Sequence, residues 1–200
     1  MSDDPVRDPS PSRALLLLAL ALFLLSALIV AYSLGARSGM EGRTLPLAQL
    51  PELPAARQAA PGFSLPSLRG SERISLADFR GQVVVLNFFA SWCAPCALEA
   101  ADIERAWQAS KDRGVVFLGV AIQDQPDDAR AFLQRHGITY PAVIDTTGEV
   151  MQAYRVTAIP TTFFLDPEGR ITGRHAGIFV GDEGVARLTE RIERARGGTP

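Results

Sequence analysis

Apolar positions along this chain keep three different rhythms. The first is an almost unbroken run from Ala14 to Ala36, dominated by Leu, Ala, Val, Ile and Phe, with no charge between Arg13 and Arg37. A stretch of about 20 or more such residues is long enough to cross a bilayer as a helix. The second rhythm is the short apolar block. Val83–Phe89, after Gly81, and Val115–Ile122, after Gly114, have the length and β-branched content of buried strands. The third is helical: Cys96, Ala100, Ile103 and Trp107 recur at one face of a helix over Pro95–Lys111.

Weaker patterns fill the spaces between these. Ala60–Leu68 alternates around Pro66, turns at Arg69–Ser71 and continues in Arg73–Ile74, which predicts a short edge hairpin. Ser75–Phe79 predicts a single helical turn stopped by Gly81. Ala129, Phe132 and Leu133 mark a helix over Pro126–Arg135, with Asp124 as its expected cap and Gly137 as its stop. Tyr140–Asp145 reads as a third strand and Glu149–Tyr154 as a short helix. Thr161–Asp166, the turn Pro167–Arg170 and Ile171–His175 predict an antiparallel hairpin. Val185, Leu188 and Ile192 place one stripe on a closing helix. Strands alternating with helices, followed by a hairpin and a helix, predict an α/β domain with a mixed sheet flanked by helices.

The segments before that domain differ in composition. Residues 1–13 are rich in Asp, Pro and Ser and are expected to be a disordered leader. Residues 14–36 are expected to be a single transmembrane anchor; the alternative is a signal segment, with small residues over Ala31–Ala36 as cleavage points. Residues 37–59 read as a tether and 60–196 as the globular domain. Arg7 and Arg13 before the apolar run balance Arg37 and Arg43 after it, so the positive-inside rule is close to a tie. A short N-terminus with a large C-terminal domain inserts most simply with the domain outside the cytoplasm.

The formal net charge of −2 argues against a nucleic-acid partner. Two cysteines are too few for a disulfide scaffold or a four-thiolate zinc site. Both lie in FFASWCAPC, as Cys93 and Cys96, where the strand predicted over Val83–Phe89 passes into a helix. A thiol at a helix N-terminus sits in the positive end of the helix dipole, which favours thiolate. Pro95 fits the first turn of such a helix because its missing N–H costs nothing there. The pair therefore reads as redox-active, with an exposed nucleophilic Cys93 and a less exposed resolving Cys96. A metal site would need further ligands, and His136 and His175 lack ligand spacing. No cofactor is expected.

Three stretches carry a resemblance to a known family. APGFSLPSLRG followed by SLADFRGQVVVLNFFASWCAPC, then GVAIQDQPDDARAFLQRHGITYPAVID, then YRVTAIPTTFFLDPEGRI resemble, in order and spacing, the thioredoxin superfamily of the membrane-anchored TlpA/ResA/CcmG (DsbE) type. The resemblance covers about residues 60–195. It implies a thioredoxin fold with an N-terminal hairpin and a central strand–helix insertion. It also implies thiol–disulfide exchange with extracytoplasmic proteins, apocytochrome c among them, and a membrane thiol-reducing partner of the CcdA/DsbD type.

The resemblance also assigns site residues. Ile159, Pro160 and Thr161 match the family's cis-proline loop, which faces the cysteines and binds an extended substrate. Trp92 matches a partner-facing position, although a large aromatic before a cysteine also fits a core. Six residues before Cys93 many thioredoxins carry a buried acid; here stands Asn87, whose amide cannot accept a proton. Glu99 matches a glutamate of the ResA-like branch that lies beside the cysteines, and if buried it would exchange a proton with Cys96. An ordinary solvated helix glutamate is the other reading. Ala94 replaces an acid that ResA-like proteins often place between the cysteines, and Ala101 replaces a kinking proline. His175 reads as core or surface. Two other functions would leave different marks. A peroxiredoxin-type peroxidase would need Pro-x-x-x-Thr/Ser-x-x-Cys before its cysteine, and a Sco-type copper-delivery protein would need CxxxC and a distant histidine. Neither pattern is present.

Overall fold

The computed structural model describes residues 17–29 and 58–197. Residues 17–29 form a helix, α1, whose leucines, Phe23 and Ile29 are exposed. Among the described residues no helix is long and apolar enough to cross a membrane. The span expected over residues 14–36 extends beyond the described residues at both ends, and the leader and most of the tether lie outside them.

The globular unit is built outward from Val83–Phe89 (β4), buried at every residue. Its side chains alternate between two cores, as a strand's period of two requires. Val83, Val85 and Phe89 join a cluster with Ala94–Ser110 (α2), Pro126–Arg135 (α3) and Gly181–Ala195 (α5). Val84, Leu86 and Phe88 join a second with the N-terminal hairpin and Glu149–Ala153 (α4). Phe88 is fully buried against Tyr154 and Phe163, with ring centroids 5.4 and 5.8 Å away. Burying a ring of this kind contributes about 1.5–3 kcal/mol.

On one side β4 pairs in parallel with Val115–Ile122 (β5), and β5 with Ala142–Asp145 (β6). On the other it pairs antiparallel with Thr161–Leu165 (β7), which continues into Arg170–Ala176 (β8). The edge beyond β8 is taken by Gln58–Ala59 (β1), giving the order β1-β8-β7-β4-β5-β6. The sheet is mixed, as expected. Its first strand starts two residues inside the stretch read as tether: Gln58 and Ala59 pair with Ile171 and Arg170. Two residues are too short a segment to leave a hydrophobic pattern.

The N-terminal hairpin, Ser64–Pro66 (β2) with Arg73–Ser75 (β3), forms as predicted, but as a separate two-stranded sheet. It meets the main sheet through the Ser67–Val143 bridge and the Leu68 amide, which donates to Ala142. The helical turn Leu76–Phe79 follows. Because β4 and β5 run parallel with Phe89 opposite Ala121, their C-terminal ends and the loops that follow lie side by side. Open α/β sheets place their sites at such an edge.

Candidate active site

Cys93 is the N-cap of α2 and Pro95 stands in its first turn. The two cysteines form a disulfide, and the Cys96 amide donates to Cys93 Sγ at 3.2 Å. In the reduced state the same amide and the helix dipole favour a Cys93 thiolate. Cys93 was expected to be exposed, but it is only 4% exposed, against 3% for Cys96. Bonded to Cys96 on the first turn of α2, it packs into the cluster containing Ala90 and Ala100. Without a proline at Ala101, α2 runs as one 17-residue helix.

Glu99 settles between its two readings. It is 1% exposed, on the face of α2 that carries Cys96 and Ala100. Its Oε1 accepts from Asn87 Nδ2 at 3.0 Å, and its Oε2 from the Phe179 amide at 3.0 Å. Asn87 also donates to Thr162 Oγ1 at 3.1 Å, the residue directly opposite it in the β4–β7 ladder. So the asparagine at the site expected for a buried acid holds the acid that α2 supplies. Burial pushes the Glu99 carboxyl from 4.5 up to about 7, while the donors at Phe179 and Asn87 restrain the rise. Burial, and then the charge of Glu99, push the Tyr140 phenol upward, so it stays protonated at neutral pH.

The Ile159–Pro160 bond is cis, and Pro160 is buried where the chain enters β7. Ile159 packs against the cluster that contains both cysteines. The Pro160 carbonyl accepts from Gly177, and Thr161 Oγ1 donates to Ala158. Trp92 is 61% exposed, which decides against a core role; its indole Nε1 donates to the Gln123 carbonyl at 2.9 Å. Asp124 does not cap α3. That cap is Gln125, without a side-chain bond, and the Asp124 carboxylate reaches across to Ser91 instead. His175 stacks on Phe179 with centroids 4.2 Å apart, in keeping with a packing role. Sequence reasoning missed the Phe179 amide and Ser91. A main-chain donor leaves no mark in residue identity, and a serine before Trp92 reads as ordinary turn chemistry.

Residues 56–174 match the AhpC/TSA family, over more than half of the chain. The chain belongs to the AhpC/TSA family. Within it, the chain is similar to the thiol-disulfide oxidoreductase ResA of Geobacillus kaustophilus, 38% identical over 139 residues, 70% of this chain and 79% of the relative. Among solved structures it resembles a thiol:disulfide interchange protein of the thioredoxin family from Chlorobium tepidum (TM-score 0.62, 29% identity, 70% of this chain and 97% of that one). It also resembles StoA from Bacillus subtilis (TM-score 0.57, 29% identity, 68% and 98%). The fold is thioredoxin-like and the enzyme is a thiol-disulfide oxidoreductase of ResA type. Leu86 and Ala90 stand where a peroxidatic motif has Pro and Thr/Ser, so this AhpC/TSA member lacks that motif.

Glu99 makes the oxidoreductase pH-sensitive in a defined sense. A carboxyl raised in the folded state holds its proton after the unfolded chain has lost it. Its contribution to stability is complete below pH 4.5 and is lost as pH rises through about 7. The loss corresponds to about 3 kcal/mol. Urea unfolding of the oxidised protein across this window should show that decline, and Glu99→Gln should flatten it. An unchanged slope in the variant would assign the pH dependence to other groups.

Proposed function

We propose that this oxidoreductase is tethered to a membrane, works outside the cytoplasm and reduces disulfides in protein partners. One observation carries the choice of a protein partner. Within the described globular unit, the large apolar side chains left exposed are Trp92, Leu98, Ile178 and Val180. Trp92 and Leu98 flank the cysteines in sequence, and Ile178 and Val180 flank Phe179, whose amide holds Glu99. Exposed apolar groups beside the cysteines in the chain, and beside the residue whose amide holds Glu99, fit a protein-docking surface. A small thiol would not need them. The apolar run over residues 14–36 supports the tether, and the reducing direction follows from the resemblance to the membrane-anchored TlpA/ResA/CcmG type carried by the motifs of the sequence.

The chemistry follows from the site. The Cys93 thiolate attacks one sulfur of the partner's disulfide, forming a mixed disulfide and expelling the second sulfur as thiolate. Cys96 passes its proton to ionised Glu99 and attacks Cys93 Sγ, which forms the Cys93–Cys96 disulfide and releases the partner's remaining sulfur as thiolate. Two electrons pass to the partner. A carboxyl near pH 7 is suited to this exchange, since both of its forms are populated at neutral pH. Apocytochrome c with oxidised haem-binding cysteines is the proposed substrate, and a CcdA/DsbD-type membrane dithiol restores the reduced state.

Two experiments test this. Equilibration with glutathione or dithiothreitol buffers should give a reduction potential of about −250 mV or lower; a value near about −120 mV would make the protein an oxidant. Cys96→Ser should accumulate a partner on Cys93 as a mixed disulfide resolved by reductant. Equal trapping by Cys93→Ser would overturn the assignment of the nucleophile.

A further inference from the structure

Three residues, Ala90, Ser91 and Trp92, stand between the end of β4 and the nucleophile, and the last two are held by the loop that follows β5. The Ser91 amide donates to Asp124 Oδ2 at 2.6 Å, and the Ser91 hydroxyl donates to Asp124 Oδ1 at 2.7 Å. Asp124 Oδ1 also accepts from the Gln125 amide at 2.9 Å. Beside this, the Trp92 indole donates to the carbonyl of Gln123, whose backbone is left-handed at φ 50°. Only a few per cent of non-glycine residues adopt that region, so the loop is held in an uncommon conformation where it receives the indole.

Asp124 directs its carboxylate at a turn 33 residues earlier in the chain and leaves α3 without a side-chain cap. A side-chain cap there would have stabilised the helix. Hydrogen bonds to a carboxylate are about twice as strong as neutral ones, and this carboxylate takes both donors of one residue. Both oxygens are engaged, which fixes Ser91 in orientation as well as position. From Cys93 onward the chain is held differently, by α2 and the apolar cluster around Cys96, Ala100 and Ile103. The grip of Asp124 therefore bears on Ser91 and Trp92, and Trp92 is the exposed aromatic next to the nucleophile.

We propose that Asp124 is a positioning residue for partner recognition: through Ser91 it sets the turn that presents Trp92 beside Cys93. The inference rests on the reading of Trp92 as a protein-contacting residue. Its effect belongs to the encounter with a protein disulfide and not to exchange between the sulfurs. Ser91 passes the constraint on, and the Gln123 carbonyl fixes the indole plane.

The test uses the full chain, with insulin as the protein disulfide and dithiothreitol as the source of electrons. Asp124→Ala should lower kcat/KM for insulin about tenfold, carried by KM, as expected when the charge-assisted contacts are lost. Asp124→Asn, which keeps one acceptor oxygen, should recover part of that loss, and Ser91→Ala, which keeps the main-chain donor, should lose less than Asp124→Ala. The Trp92 indole N–H resonance should move in Asp124→Ala while that of Trp107 stays in place. Unchanged KM in Asp124→Ala, or a loss carried by kcat with a still indole resonance, would overturn the proposal. Failure of the unmodified chain to reduce insulin would count against protein-disulfide reduction itself, so the two failures are distinguishable.

Discussion

A charged carboxylate taken out of water without partners costs several kcal/mol, and this fold places Glu99 in such a position with only two donors to receive it. Three separate elements meet at the group. Helix α2 carries the carboxyl, β4 supplies the Asn87 amide, and the segment after β8 supplies the Phe179 N–H. The donors offset part of the burial and leave the group near neutrality, where gaining or losing one proton is easy. The position of the dithiol depends on the same packing, since Cys96 and Glu99 share one face of α2.

The site thereby divides its work between two neighbouring parts. On the buried side, Asn87 donates to both Glu99 and Thr162, and this part is proposed to handle the proton. On the exposed side stand Trp92 and Leu98, either side of the cysteines in sequence, and Ile178 and Val180, either side of Phe179; this is the face proposed to meet the partner. Phe179 joins the two: its amide reaches Glu99 while its neighbours on either side face solvent.

Most of this was legible in the chain because the strong signals are local. The runs Val83–Phe89 and Val115–Ile122 became fully buried strands, and Cys96, Ala100 and Ile103 became the buried face of α2. Glu99 was legible through the resemblance to ResA-like proteins, and Asn87, expected only to orient or hydrogen-bond, donates to it. What was not legible involves groups distant in sequence or without a distinctive side chain. Asp124 has the place and type of a helix cap, and only the adjacency of the β4 and β5 ends explains its turn toward Ser91. The Phe179 donor is main chain, and the β1 pairing is main chain over two residues, so neither leaves a pattern of apolar positions. Cys93 was judged by its place at a helix start, which says nothing of how the disulfide packs inward.

The function proposed for Glu99 requires its buried carboxyl to stay protonated until close to neutral pH. It is tested most directly by following the carboxyl carbon of Glu99 by 13C NMR in the oxidised chain as pH is raised, with the signal assigned by its loss in Glu99→Gln. The expected titration midpoint is about 7. A midpoint at the ordinary value of 4.5 would mean that Glu99 is charged throughout the working range and takes no part in proton exchange with Cys96.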